Sequence, residues 1–179
     1  MSISRRYALK QLFVFAGGAI FLPACFHQKE KSSLLLHHLR LEPGQDETLE
    51  ALADTLIPTD TTPGAKAVAA HLFVIKMMDD CYPPDRQDKF MKGLSAFEEK
   101  ASKQYGKSFI ECDQTQKNTL VGALDATADG SDDLSFFYHE NKKLVIQGYL
   151  GSQYFLTKVE VYELVPGRWH GCVPVKKNT

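Results

Sequence analysis

The side chains that could do chemistry in this 179-residue chain are six histidines, four cysteines and two short aspartate clusters. Their spacing points away from a catalytic or metal centre. His37 and His38 are adjacent, so on a helix they would point about 100° apart and could not share a metal as an i, i+4 pair does. His71 falls on or beside an apolar stripe and reads as a core or boundary histidine with its hydrogen bonds met. His27, His139 and His170 are scattered, with no carboxylate at the spacing of a metal motif. Asp79-Asp80 and the stretch from Asp129 to Asp133 lack the alternating ligand order of a calcium loop, and read as helix-end and loop charges. Gly148, Gly151 and Gly167 follow no strand and open no helix, so they do not compose a phosphate-cradling loop. There is no G-x-S-x-G, and no serine or cysteine has a recognisable base partner. No catalytic, cofactor-binding or metal-binding residue is therefore expected in this chain.

The elements around these residues read as helices. Asp46 and Glu47 open a first helix, where acidic charge suits the N-terminal dipole. Leu49, Leu52, Ala53, Leu56 and Ile57 follow at helical spacing, and Pro58 stops it. Thr59 to Thr62 form a loop, and Pro63-Gly64 turns into a second helix whose stripe is Val68, Leu72, Ile75 and Met78. Pro84 and Asp85 start a third, with Phe90, Leu94, Phe97 and Ala101 on the buried face and Gly106 as its stop signal. Asp113 and Gln116 can cap a fourth reciprocally, with Leu120, Val121 and Leu124 turned inward. Ser131, Asp132 and Asp133 start a fifth, carrying Leu134, Phe137, Leu144, Val145 and Gly148. The predicted class is all-α: an irregular helical domain of about five helices. From Gly148 onward helical periodicity fades, and the aromatic, proline-rich segment with Val159 and Val161 in alternation reads as extended.

The N-terminus has a different character. Arg5-Arg6 precede the apolar stretch Leu12 to Ala24, which is too short to span a bilayer comfortably. Paired arginines before such a stretch are a twin-arginine export address; a short membrane anchor or a buried helix is the blander reading. Leu22-Pro23-Ala24-Cys25 resembles a bacterial lipobox, which makes Cys25 the expected lipidation site. The expected organisation is a signal at 1–24, a tether at 25–45 and a helical domain at 46–179, placed in the periplasm and anchored to the membrane through lipid. Removing residues 1–24 takes away Arg5, Arg6 and Lys10 and no acid, so the formal charge moves from −1 to −4. A mildly acidic chain without a Lys/Arg cluster gives no support to nucleic-acid binding. With Cys25 lipidated, Cys81, Cys112 and Cys172 remain: one bridge and a free thiol, a bridge to another chain, or three separate thiols. None forms a C-x-x-C pair.

Three stretches carry a resemblance: LADTLIPTDTTPGAK at Leu52 to Lys66, FFYHENKKLVIQGYLGSQYF beginning at Phe136, and VPGRWHGCVP beginning at Val165. Over about Leu49 to Pro174 the sequence resembles the gluconate 2-dehydrogenase subunit 3 family, the small subunits of membrane-associated flavin dehydrogenases. It departs from the family's Thr-Ser-Glu run after the Gly-Tyr pair, having Leu150-Gly151-Ser152-Gln153 there. The resemblance implies a non-catalytic subunit that escorts and steadies a large flavin subunit acting on a sugar, sugar acid or alcohol. FAD and haem c would then belong to partner subunits, the latter to a cytochrome c. The alternative is a stand-alone periplasmic lipoprotein that binds another protein. The absence of a dinucleotide fingerprint and of C-x-x-C-H agrees with cofactors held elsewhere. Tyr149, Tyr154, Phe155 and Trp169, with Cys172, concentrate aromatic area in one segment, and such area is favoured at interface hot spots. They are the expected partner interface; a lid over the helical core is the competing assignment.

Overall fold

The structure, a computed structural model, describes residues 35–127 and 132–160, together with Gly167 and Cys172. Among the described residues every regular element is helical: α1 (Gln45–Leu56), α2 (Ala70–Cys81), α3 (Pro84–Tyr105), α4 (Gln114–Asp125), α5 (Asp133–Leu150) and a π-helical turn at Phe155–Val159. None of these helices is long and apolar enough to cross a membrane. Arg5, Arg6, Cys25, Asp129, Ser131, Tyr162 and Trp169 lie outside the described residues.

Local chemistry explains where most helices begin and end. Pro84 opens α3 after an extended Pro83, and Gly106 closes it at φ +69°, donating its N–H to Ser102 O at 2.8 Å. Glycine adopts this left-handed conformation without a side-chain penalty. Asp113 Oδ1 accepts from Gln116 N at 2.9 Å while Gln116 Oε1 accepts from Asp113 N at 3.2 Å, a complete capping box on α4. Asp132 caps α5 by accepting from Ser135 N.

The α2 phase differs from its sequence reading. Residues 65–69 form a turn, Ala69 sits at φ +54°, and the helix starts at Ala70. Val68 therefore precedes the helix. The buried face is Ala70, His71, Val74, Ile75, Met78 and Asp79, with Leu72 only half-buried. The cause is the turn: Ala65 N donates to Ile57 O at 2.9 Å and Ala70 N to Ala65 O at 2.9 Å, which delays the helix and rotates its face.

α5 is the central element and touches all four other helices and the π turn. Phe73 packs on Gly148 and Tyr82 bonds Glu140, while Arg86 reaches Glu140 and Gly93 abuts Asp133. α2 and α3 thus follow one another along α5, both antiparallel to it. Gly93 permits the α3–α5 approach, because a Cβ there would lie 2.1 Å from Asp133 O and 2.4 Å from Phe137 Cβ. Around that crossing, Phe137 meets Phe90 at 4.9 Å and Phe97 at 5.7 Å between ring centroids, and Phe97 meets Phe109 at 4.7 Å. Each buried phenylalanine contributes about 2 kcal/mol or more of transfer free energy.

The segment after α5 is not extended where it is described. Leu156 N donates to Ser152 O at 3.0 Å and Glu160 N to Phe155 O at 2.9 Å, so the backbone closes its own hydrogen bonds in a wide turn. Val159 lies in this turn and not in an extended segment, while Val161 lies outside the described residues; backbone amides without a partner strand find acceptors locally or in water.

Candidate functional site

Tyr149, in the last turn of α5, joins three pieces of the molecule. Its hydroxyl donates to Pro63 O at 3.0 Å, and its ring meets Phe155 edge-on at 6.0 Å and 62°. The α5 C-terminus, the α1–α2 connection and the π turn are therefore one surface. Tyr149, Tyr154 and Phe155 are all half-buried. Helical spacing places Ile146 and Leu150 one turn apart beside Tyr149. They are 41% and 45% exposed, and Val159 in the π turn is 55% exposed. Three large apolar side chains thus stand in water on the last turns of α5 and in the π turn. Cys172 is exposed, and Cys81, Cys112 and Cys172 are all free thiols, Cys81 exposed and Cys112 buried.

The connection that receives Tyr149 is braced from within. Asp60 Oδ1 accepts from Thr62 N at 2.8 Å and from Thr62 Oγ1 at 3.0 Å, and Asp60 N donates to Thr62 O at 3.1 Å. Gly64 N donates to Thr59 Oγ1 at 3.0 Å. Gly64 is buried against the backbone of Ile57 to Thr59: a Cβ there would meet Ile57 O at 2.5 Å. The hydrogen bonds from Thr62 and Thr61 lower the Asp60 pKa.

A second organised region gives Asp79, the expected helix-end charge in the last turn of α2, a role the sequence did not show. Asp79 is buried, and its carboxylate accepts three consecutive backbone N–H groups, from His37 at 2.8 Å and from His38 and Leu39 at 2.7 Å each. Burial alone would raise its pKa, but those three donors with Lys76 outweigh it and hold the carboxyl at about 2. Gln87 Nε2 serves Met78 O, Asp79 O and Tyr82 O, satisfying carbonyls at the end of α2. Asp80 behaves as expected: it is exposed and pairs with Lys76 at 2.9 Å. Beside the Asp79 bonds, an open groove of about 800 Å³ runs between residues 38–45 and α3.

Glu140 is the other buried carboxylate among the described residues. It accepts from Tyr82 and pairs with Arg86 at 3.3 Å and Lys143 at 2.9 Å, while Arg86 lies over the rings of Tyr82 and Phe136. Burial and the bond to Glu140 push the Tyr82 hydroxyl up to about 12. Every charge in this cluster is paired, which suits a structural joint between α2, α3 and α5. The expectation for His71 needs correction: it is buried, but its Nδ1 has no hydrogen-bond partner. Desolvation lowers its pKa against the opposing pull of Glu50 and Asp46. Asn141 is also buried, with neither side-chain amide atom bonded.

No group of three His, Cys, Asp or Glu among the described residues could hold a metal ion. Sequence reasoning missed Ile146 as a surface residue and Asp79 as a buried anchor. Ile146 was detectable in principle, as an apolar residue off the Phe137–Leu144–Val145 stripe with Leu150 one turn on. Asp79 carries no such local signal. No curated protein and no solved structure matches the chain. The family model described as gluconate 2-dehydrogenase subunit 3 matches residues 43–167.

Proposed function

The chain belongs to the gluconate 2-dehydrogenase subunit 3 family, and from that premise we propose that it is a non-catalytic accessory subunit which escorts and stabilises a flavin-dependent dehydrogenase. The match at residues 43–167 carries the reading, because it spans all five helices and the surface centred on Tyr149. The substrate chemistry, oxidation of a sugar, sugar acid or alcohol, is assigned to a large FAD-containing subunit, with a cytochrome c taking the electrons onward. Arg5-Arg6 supply the twin-arginine address for a folded complex, and Cys25 the lipid anchor on the periplasmic side. The catalytic subunit docks on the Tyr149 face, where Ile146, Leu150 and Val159 offer apolar area already in water. Burying such side chains contributes to binding in proportion to the area removed from solvent, and Tyr149 and Phe155 fix its shape.

Affinity purification of the full-length protein from membranes tests this directly. The expected co-purifying species is a large flavoprotein whose FAD absorbance follows the tagged subunit. Recovery of the subunit alone, or with a partner lacking flavin, overturns the proposal in favour of a stand-alone lipoprotein.

A further inference from the structure

We propose that the loop from Pro58 to Thr62 is a second arm of the docking face, and that its occupant is the same catalytic subunit. The inference rests on the accessory-subunit reading and adds to it a contact 86 residues away in sequence from Tyr149. All five loop residues are exposed. Yet the loop is held by the Asp60–Thr62 and Thr59–Gly64 bonds, and its far end is pinned by Tyr149 on Pro63 O. An exposed loop that is already ordered loses little conformational freedom on docking, which is the usual cost of loop-mediated binding. The same hydroxyl bonds the residue that follows the loop, and its ring meets Phe155, so a partner covering the end of α5 adjoins the loop.

The chemistry of the arm specifies what faces it. The side-chain and amide bonds within the loop converge on Asp60 Oδ1. Among the described residues, Asp60 Oδ2 accepts no hydrogen bond, so the negative charge points a free acceptor at the partner. Pro58 and the threonine methyl groups supply neutral surface around it. The occupant is therefore a protein surface with an N–H donor or a cation opposite Asp60 and apolar area opposite Ile146 and Leu150.

The test uses the full-length subunit co-expressed with its catalytic partner. Thr61→Trp adds outward bulk without touching the Asp60–Thr62 bonds; Asp60→Asn keeps the Oδ1 acceptor and removes the charge. Ile146→Asp reports on the helical arm. The expected result is at least tenfold weaker capture of the flavoprotein by Thr61→Trp and several-fold weaker capture by Asp60→Asn, with the melting temperature of the isolated subunit unchanged in both. If Ile146→Asp abolishes capture while both loop variants bind within twofold of wild type, the loop is not an arm of the interface. If Thr61→Trp itself melts early, Asp60→Asn decides alone by the same criterion. A wild-type subunit that captures no flavoprotein overturns the accessory-subunit reading and this inference together.

Discussion

The hydroxyl of Tyr149 donates to the carbonyl of Pro63 across 3.0 Å, tying the end of the last helix to the connection between the first two. Tyr149→Phe removes that donor and little else. The expected loss is about 1 kcal/mol of stability, the usual net worth of one hydrogen bond, read as a melting temperature lower by about 2–4 °C. Hydrogen exchange should speed up at the Thr62 and Gly64 amides while the α3 amides stay protected. Unchanged exchange in the loop would show that Asp60 and Thr59 hold it unaided.

Two glycines in helices should respond oppositely to alanine. At Gly93 a methyl group would overlap Asp133 O and Phe137 Cβ, so α3 and α5 must separate. Gly93→Ala is expected to cost about 3 kcal/mol or more, at the upper end of overpacking effects. At Gly122, exposed in α4, a Cβ meets nothing within 4 Å. Gly122→Ala should gain up to about 1 kcal/mol from helix propensity. Urea unfolding of the pair measures both; equal shifts would contradict the close α3–α5 crossing.

Asp79→Ala leaves three backbone N–H groups of residues 37–39 without their acceptor. Only the Leu39 amide is buried, while those of His37 and His38 are part-buried and can turn to water, so the expected cost is about 1–3 kcal/mol. Trypsin should then cut at Arg40 faster in the variant than in the wild type. The carboxyl is depressed to about 2, so its stabilisation is fully present above the unfolded value near 4. It is lost as pH falls from there through about 2. Acid unfolding of the variant should be flatter over that window than that of the wild type.

His71 titrates in the opposite part of the scale. Burial depresses its pKa despite Glu50 and Asp46, with Lys66 adding to the depression. The neutral imidazole is the form the fold prefers. Its contribution is therefore present above the unfolded value of about 6.5 and declines as pH falls below it towards the folded value. His71→Phe, which cannot take up a proton, should lose less stability than wild type between pH 7.5 and pH 5. Parallel melting curves for the two across that range would place the acid sensitivity elsewhere.

Arg5→Lys with Arg6→Lys tests the export address. The pair precedes an apolar stretch softened by Gly17-Gly18, and paired arginines are the feature the twin-arginine route reads. The expected outcome is precursor retained in the cytoplasm together with its flavoprotein. Undiminished export of the variant rules that route out.

What the amino-acid sequence determined by itself is what lies within one element. The α3 face of Phe90, Leu94, Phe97 and Ala101, its stop at Gly106 and the Asp113–Gln116 capping box were all legible, because each depends on residues within one or two turns of one another. The all-α class followed from the same local periodicity. Only tertiary structure decided which face of α2 is buried, since its phase depends on a turn locked by Ile57 and Gly64. Packing alone revealed that Asp79 is an anchor: its partners lie 40 to 42 residues away, and a carboxylate at a helix end looks the same in sequence whether it meets water or three amides. The candidate site divides in the same way. Its aromatic residues were visible as composition, but their union with the Pro58–Thr62 loop depends on a bond spanning 86 residues, and side-chain periodicity carries no information at that range.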